Sequence, residues 1–352
     1  MSSSEGISRY VPSNICFLFL FYPSTRSSDQ SVIAIVFTVF IYSRHYTVLK
    51  NPSCYFCAGK IADPNKDNAS FRHKLEETMR VTLCQMVVER SKEANIRKAV
   101  EMITAAAKRG SEFVVLPECF NCPYGTKYFA EYAEETRAGC PTFDAMAKVA
   151  RENSIWIVAG SIPERLDGKL YNSSMVFGPT GELKHIHRKV HLFCINTETL
   201  KMNEGEVLSA GSIATPVVFR DELKFGLGIC FDIRFPLFSW KYANEGTSFL
   251  VYPAAFNMVT GPAHWELAAR SRALDNQQFV MMCSPARDTN AEYVAWGHSI
   301  IVDPMGKVLA MADERETYVD ADIDFDMVKT ARNMIPIMSG VRHDLYSLNW
   351  KS

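Results

Sequence analysis

Lys224-Phe-Gly-Leu-Gly-Ile-Cys230, followed at once by Phe231-Asp-Ile-Arg-Phe-Pro236, is the stretch whose reading decides the fold. The first part is apolar and glycine-spaced, the pattern of a buried strand; the second is a polar turn. A strand that runs straight into a tight turn holds a thiol rigidly at a sheet edge. The backbone N–H groups that follow then point at whatever the sulfur attacks, which is the local geometry a cysteine nucleophile needs. A cysteine on a buried strand is more often an inert small hydrophobe, so Cys230 needs partners elsewhere in the chain.

Outward from that strand the text reads as alternating β and α segments. Met79-Arg80 opens a strand, Val81–Met86. Ser91 is placed to N-cap a helix with Ile96, Ala99, Val100, Ile103 and Ala107 on one face and Gly110 at its C-terminal end. A strand Phe113–Pro117 follows, then a helix from about Thr142 to Asn153 and a strand Ile155–Ile162. Turn signals at Asp167-Gly168 and Pro179-Thr180-Gly181 separate the hairpin strands 170–177 and 182–191. Beyond strand 223–230 come a helix at 237–244, a strand at 249–252, a helix at 262–275, and strands near 278–283, 297–303, 307–311 and 317–323. Crossovers mixed with hairpins predict mixed sheets with helices outside, an α/β architecture. Gly110-Ser-Glu-Phe-Val-Val-Leu-Pro-Glu-Cys-Phe120 echoes Gly246-Thr-Ser-Phe-Leu-Val-Tyr-Pro-Ala-Ala-Phe256 in register, which suggests two similar halves.

A chain of 352 residues, 47% hydrophobic and with a net charge of -1, buries a large core and carries no electrostatic footprint for nucleic acid. Its ten cysteines are scattered through an ordinary composition and read as reduced intracellular thiols. Two Cys-x-x-Cys pairs, Cys54/Cys57 and Cys119/Cys122, lie far apart with no histidine pair at ligand spacing, so no metal site is expected. Residues 1–78 differ from the rest. They form an N-terminal extension expected to be poorly ordered, with apolar runs Ile15–Tyr22 and Val32–Tyr42 too short to span a bilayer. Arg9, Arg26 and Arg44 among few acids give it a faint transit-peptide flavour. The body is assigned to residues 79–352, and the location to the cytoplasm with mitochondria as the alternative.

Two further strand ends carry chemistry. Glu118 follows Val-Val-Leu-Pro and sits where a buried strand opens; desolvation there raises a carboxylate pKa and makes it a fit general base. Lys189, in His187-Arg-Lys-Val-His191, ends an antiparallel strand and is placed to stabilise an oxyanion. Singly, each reads as readily as a solvated turn residue or a surface charge.

Together, Leu116-Pro-Glu118, Arg188-Lys189-Val-His-Leu192 and Gly228-Ile-Cys230-Phe-Asp232-Ile-Arg234 resemble the nitrilase superfamily of carbon–nitrogen hydrolases over essentially all of 79–352. The resemblance implies an αββα four-layer sandwich with two mixed sheets, a homodimer or larger homo-oligomer, a Glu–Lys–Cys catalytic set and no cofactor. Within the superfamily the chain is most similar to the omega-amidase branch, on Glu118–Phe129, Gly261–Leu267, Arg270–Gln277, Ser284–Asp288 and Tyr293–Ser299. Members of that branch begin at about Met79. The branch implies hydrolysis of ω-monoamides of dicarboxylates, notably 2-oxoglutaramate and 2-oxosuccinamate, through a cysteine acyl-thioester with release of ammonia.

Departures from the pattern bear on selectivity. The family's Cys-Tyr-Asp reads Cys230-Phe231-Asp232, which keeps the Phe231 N–H as an oxyanion donor. Its Pro-Gly-Ala-Phe-Asn reads Pro253-Ala-Ala-Phe-Asn257. In the altered loop after Leu192, Glu204 is the match for the superfamily's second glutamate and Glu206 the alternative. Tyr124, Phe256 and Asn257 are candidates to line the substrate pocket, whereas His264 and Trp265 are read as structural. Other readings are an amidase for deaminated glutathione or an N-carbamoyl compound, a nitrilase, or a non-catalytic scaffold of the same fold. A Cys–His protease has no histidine suited to pair with Cys230.

Overall fold

The structure, a computed structural model, describes residues 15–21, 34–40, 78–198, 201–220 and 223–350. The chain divides into two compact units, Met1–Asp63 and Pro64–Ser352. In the first, β1 (Ile15–Phe21) and β2 (Ala34–Phe40) pair antiparallel. The expected disorder of residues 1–78, and the Cys54/Cys57 pair, otherwise lie outside the described residues.

The second unit is a mixed α/β structure built on two sheets, and period-2 alternation shows how they are layered. In one sheet, β3 (Thr78–Gln85), β4 (Phe113–Val115) and β5 (Trp156–Val158) run parallel. The antiparallel β6 (Ile162–Leu166), β7 (Lys169–Phe177) and β8 (Leu183–Arg188) extend it at one side, and β17 (Thr317–Asp324) closes the other. In the second sheet, β12 (Leu223–Leu227), β13 (Phe249–Pro253) and β14 (Phe279–Cys283) are parallel. They are flanked by antiparallel β11 (Val217–Arg220), β15 (Ile300–Val302) and β16 (Val308–Met311).

Val81, Leu83, Phe113 and Val115 of the first sheet share one buried cluster with Phe225, Leu227, Phe249, Val251, Phe279 and Met281 of the second, so the two sheets pack face to face. Phe113 is central, its ring meeting those of Phe219, Phe225 and Phe249 edge-on at 5.4–5.5 Å. The alternate residues point outward. Cys84, Val114 and Ile157 pack under α1 (Lys92–Lys108) and α3 (Pro141–Asn153). Leu250, Tyr252, Val280 and Met282 pack under α4 (Pro236–Asn244) and α5 (Gly261–Asn276). The order helix, sheet, sheet, helix is the sandwich that the motifs implied, and the two β–α–β units behind the internal echo occupy matching places in the two sheets.

Ser91 caps α1 through its hydroxyl, which accepts the Ala94 N–H. Three local readings differ from the sequence expectation. Residues 155–162 are two strands rather than one, broken where Gly160 takes φ +46°. Short helices α2 (Thr126–Tyr132) and α6 (Asp326–Met334) have too few turns to announce themselves. A small hairpin, β9 (Cys194–Asn196) and β10 (Lys201–Asn203), delivers Glu204. Among the described residues no helix is long and apolar enough to cross a membrane.

Candidate active site

β12 ends at Leu227, and Cys230 opens the 3-10 turn Cys230–Arg234. The glycine spacing of β12 now has a cause: a Cβ on Gly226 would meet the Tyr242 ring at 2.5 Å, and one on Gly228 the Tyr252 ring at 2.5 Å. Cys230 itself holds φ +46°, an uncommon conformation for a side-chain-bearing residue that costs of order 1–3 kcal/mol and is found where a reactive atom must be aimed. Asp232, fully buried, pins the turn: its Oδ2 accepts the Ile229 N–H at 2.9 Å and faces His187 Nε2 at 3.1 Å. These partners outweigh burial and hold its carboxyl well below the usual range.

Glu118 leaves β4 through Leu116-Pro117. The Pro117 carbonyl accepts the Ser161 N–H, and the Ser161 Oγ accepts the Cys119 N–H at 3.0 Å. Lys189 lies one residue past β8, its N–H donating to the Asn172 carbonyl at 2.8 Å. These separate segments converge. Lys189 Nζ donates to Glu118 Oε1 at 2.9 Å and reaches Glu204 at 3.0 Å, with all three side chains inaccessible to solvent. Burial alone would lower the lysine pKa, but the two carboxylates outweigh it and hold the ammonium charged. Burial raises Glu118 against the pull of Lys189. The Cys230 thiol is pushed well up by burial and by Glu118, with Lys189 and the Ala255 N–H acting the other way. The resting sulfur is therefore protonated beside a carboxylate whose raised affinity suits it to take that proton.

Of the two glutamates left open by the sequence, Glu204 is in the site and Glu206 is exposed. Glu204 also accepts the Phe193 N–H at 2.7 Å and the Tyr124 hydroxyl at 2.8 Å. Tyr124 thus reaches the charged cluster as well as the cavity wall. Phe256 stacks beneath the Arg234 guanidinium at 4.6 Å. The Asn257 Oδ1 accepts the Val259 and Thr260 N–H groups, which stitches its own turn. His264 contacts Arg234 at 3.1 Å, and Trp265 is buried with its indole N–H on the His298 carbonyl. The Phe231 ring packs between Phe193 and Phe235.

Two residues escaped the sequence reading. Asn172, buried on β7, donates to Glu118 Oε1 at 2.9 Å, the same oxygen that accepts from Lys189. A lone asparagine in a strand carries no local signal. Arg234 lay inside a quoted motif without a role. Burial lowers its pKa against the opposing pull of nearby Cys230 and Tyr293, and among the described residues no carboxylate pairs with it. A cavity of about 150 Å³ opens beside Glu118, walled by Glu118, Cys119, Cys122, Tyr124, Ala255 and Tyr293 among others. Glu118 and Ala255 are also among the residues that act on the Cys230 thiol. Among the described residues no cluster of three or more His, Cys, Asp or Glu is placed to hold a metal ion.

Residues 80–333 match the family described as carbon-nitrogen hydrolase. The chain belongs to the carbon–nitrogen hydrolase family. It is 49% identical to omega-amidase NIT2 of Xenopus tropicalis over 273 residues, 77% of this chain and 98% of that protein. It is 48% identical to omega-amidase NIT2 of Bos taurus over 275 residues, 78% of this chain and 99% of that one. The structure of Saccharomyces cerevisiae Nit3, a member of branch 10 of the nitrilase superfamily, superposes with TM-score 0.70 at 40% identity, covering 76% of this chain and 97% of Nit3. This carbon–nitrogen hydrolase is thus an enzyme acting on C–N bonds, with the nitrilase-superfamily fold.

Proposed function

We propose that the enzyme hydrolyses the ω-amide of small dicarboxylate monoamides, 2-oxoglutaramate and 2-oxosuccinamate being the reference substrates, through an acyl-thioester on Cys230. The observation that carries this reading is the buried ammonium of Lys189 held between Glu118 and Glu204, with Glu118 beside the thiol. The similarity to omega-amidases supports this substrate class. Arg234 fits it, because a guanidinium near the nucleophile with no carboxylate partner among the described residues supplies a partner for the distal carboxylate.

The amide carbonyl lies between the Cys230 sulfur and a cleft formed by Lys189 and the Phe231 N–H. Glu118 takes the thiol proton as sulfur attacks, and the tetrahedral oxyanion is stabilised by the ammonium and the backbone donor. Donors of this kind are worth about 2.7–4 kcal/mol each in comparable sites. Glu118 then protonates the leaving nitrogen and ammonia departs. Water deprotonated by the same carboxylate hydrolyses the thioester, which regenerates the thiol. Glu204 fixes the lysine and, through Tyr124, one wall of the cavity. The activity resides in residues 79–352, working as a homodimer or larger assembly.

The test is a parallel assay of ammonia release from 2-oxosuccinamate, carbamoyl-β-alanine, deaminated glutathione and a nitrile. The highest kcat/KM belongs to 2-oxosuccinamate, and Cys230→Ala abolishes it in a folded protein. Preference for another compound redirects the substrate assignment; an active alanine variant ends the thioester mechanism.

A further inference from the structure

Cys119 and Cys122 are left over by the chemistry above. The Cys122 N–H donates to the Cys119 carbonyl at 3.2 Å, so the two occupy the first and last positions of a β-turn. Such a turn brings its end Cα atoms within about 7 Å, a span that overlaps the separation a disulfide requires. Both side chains are buried in one small cluster with Phe129 and Leu208, and the neighbouring Cys122 thiol helps to raise the Cys119 pKa above its ordinary value after burial. Both are reduced in this structure. Both also line the same 150 Å³ cavity as Glu118.

We propose that Cys119 and Cys122 form a redox-modifiable dithiol in the cavity wall, whose closure to a disulfide by exchange with a small-molecule disulfide shuts the cavity to substrate. One thiolate attacks the reagent and expels its first thiol; the second thiolate displaces the other. Each cysteine sulfur gives up one electron and one proton, the Sγ–Sγ bond forms, the reagent's S–S bond breaks, and two reagent thiols are released. Closure draws the sulfurs together to about 2.05 Å. The turn that moves begins one residue after Glu118 and ends two before Tyr124, which holds Glu204. Displacements of this size next to reacting groups cost on the order of 100-fold in rate. Burial and the adjacent thiol keep Cys119 protonated, so closure accelerates as pH rises.

The test uses the full-length Cys230→Ala protein, so that the nucleophile itself plays no part, treated with 2-hydroxyethyl disulfide at pH 8.5. Trypsin releases residues 110–127 as one peptide holding both thiols and no other cysteine. The expected result is loss of two hydrogen masses from that peptide, reversed by dithiothreitol, with 2-oxosuccinamate binding weakened at least tenfold. In the Cys230→Ala/Cys122→Ser protein the same treatment leaves binding unchanged relative to its untreated form. Two free, alkylatable thiols in the treated peptide overturn the proposal, as does equal binding by open and closed forms or an equal loss without Cys122. The peptide mass decides the dithiol independently of the substrate assignment, whose failure shows instead as no binding by the untreated protein.

Discussion

A single oxygen of Asp232, Oδ1, accepts both the main-chain N–H and the ring Nδ1 of His191, each at 2.8 Å. Its other oxygen holds the Ile229 N–H. One buried carboxylate therefore ties the segment that delivers Lys189 to the turn that presents Cys230. Asp232→Asn removes the charge from these bonds, and hydrogen bonds to a charged group are worth about 1.5–3 kcal/mol each. Denaturant unfolding is expected to show a loss of roughly 3 kcal/mol, and kcat a fall of at least tenfold. Unchanged kinetics in a destabilised protein would confine the residue to a scaffold role.

Removing one carboxylate from the Lys189 cluster has a different signature. Glu204→Gln is expected to lower kcat by about 100-fold or more, because the oxyanion donor loses its anchor. Glu206→Gln, in the exposed position, leaves kcat within twofold. Steady-state kinetics on the pair decide between the two glutamates of one loop.

As the proposed partner of the substrate carboxylate, Arg234 is expected to act on binding rather than on bond breaking. Arg234→Met is expected to raise KM for 2-oxosuccinamate by 10- to 100-fold, in line with the loss of one charge-assisted pair. KM for an uncharged amide such as butyramide barely moves. An equal effect on both substrates would place the guanidinium outside the carboxylate subsite.

As the proposed general base, Glu118 is expected to set the acid limb of the rate profile. The base must be ionised, and burial raises its pKa above the ordinary carboxylate value. The fall in kcat/KM on acidification is therefore expected at a pH above 4.5, the unperturbed value. A limb at or below that value would show the carboxylate to be solvated in the free enzyme.

Stability at mildly acid pH is governed in part by His185, whose pKa burial and the neighbouring His187 lower from 6.5 to about 4. Its folded pKa lies below its unfolded one, so the unfolded chain binds the proton first. The contribution is complete above about pH 6.5 and is lost as pH falls towards 4. His185→Gln is expected to flatten the stability profile across that window in unfolding experiments. An unaltered slope would assign the acid sensitivity elsewhere.

What the sequence disclosed was whatever depends on short-range order. Glu118, Lys189 and Cys230 each follow a strand with a local pattern, and apolar runs bounded by turn signals marked the strands themselves. Glu204 was preferred but Glu206 stayed open, because the small hairpin that chooses between them is held by Phe193 main-chain bonds, not by a repeating pattern. Asn172 was invisible for a related reason: its importance lies in a contact with Glu118 made across the sheet. The break in residues 155–162 follows from Gly160, where any Cβ would sit 2.1 Å from the Pro117 carbonyl. The requirement comes from another strand, so a single-strand reading ran straight through it.

Glu118 hangs from one sheet and Cys230 from the other, and what sets their separation is the layer of rings around Phe113. That layer works as a spacer of fixed thickness. Trimming or swelling it would throw the proton acceptor and the sulfur out of alignment from well behind the substrate, so tolerance to change in this interior should be narrower than folding alone demands.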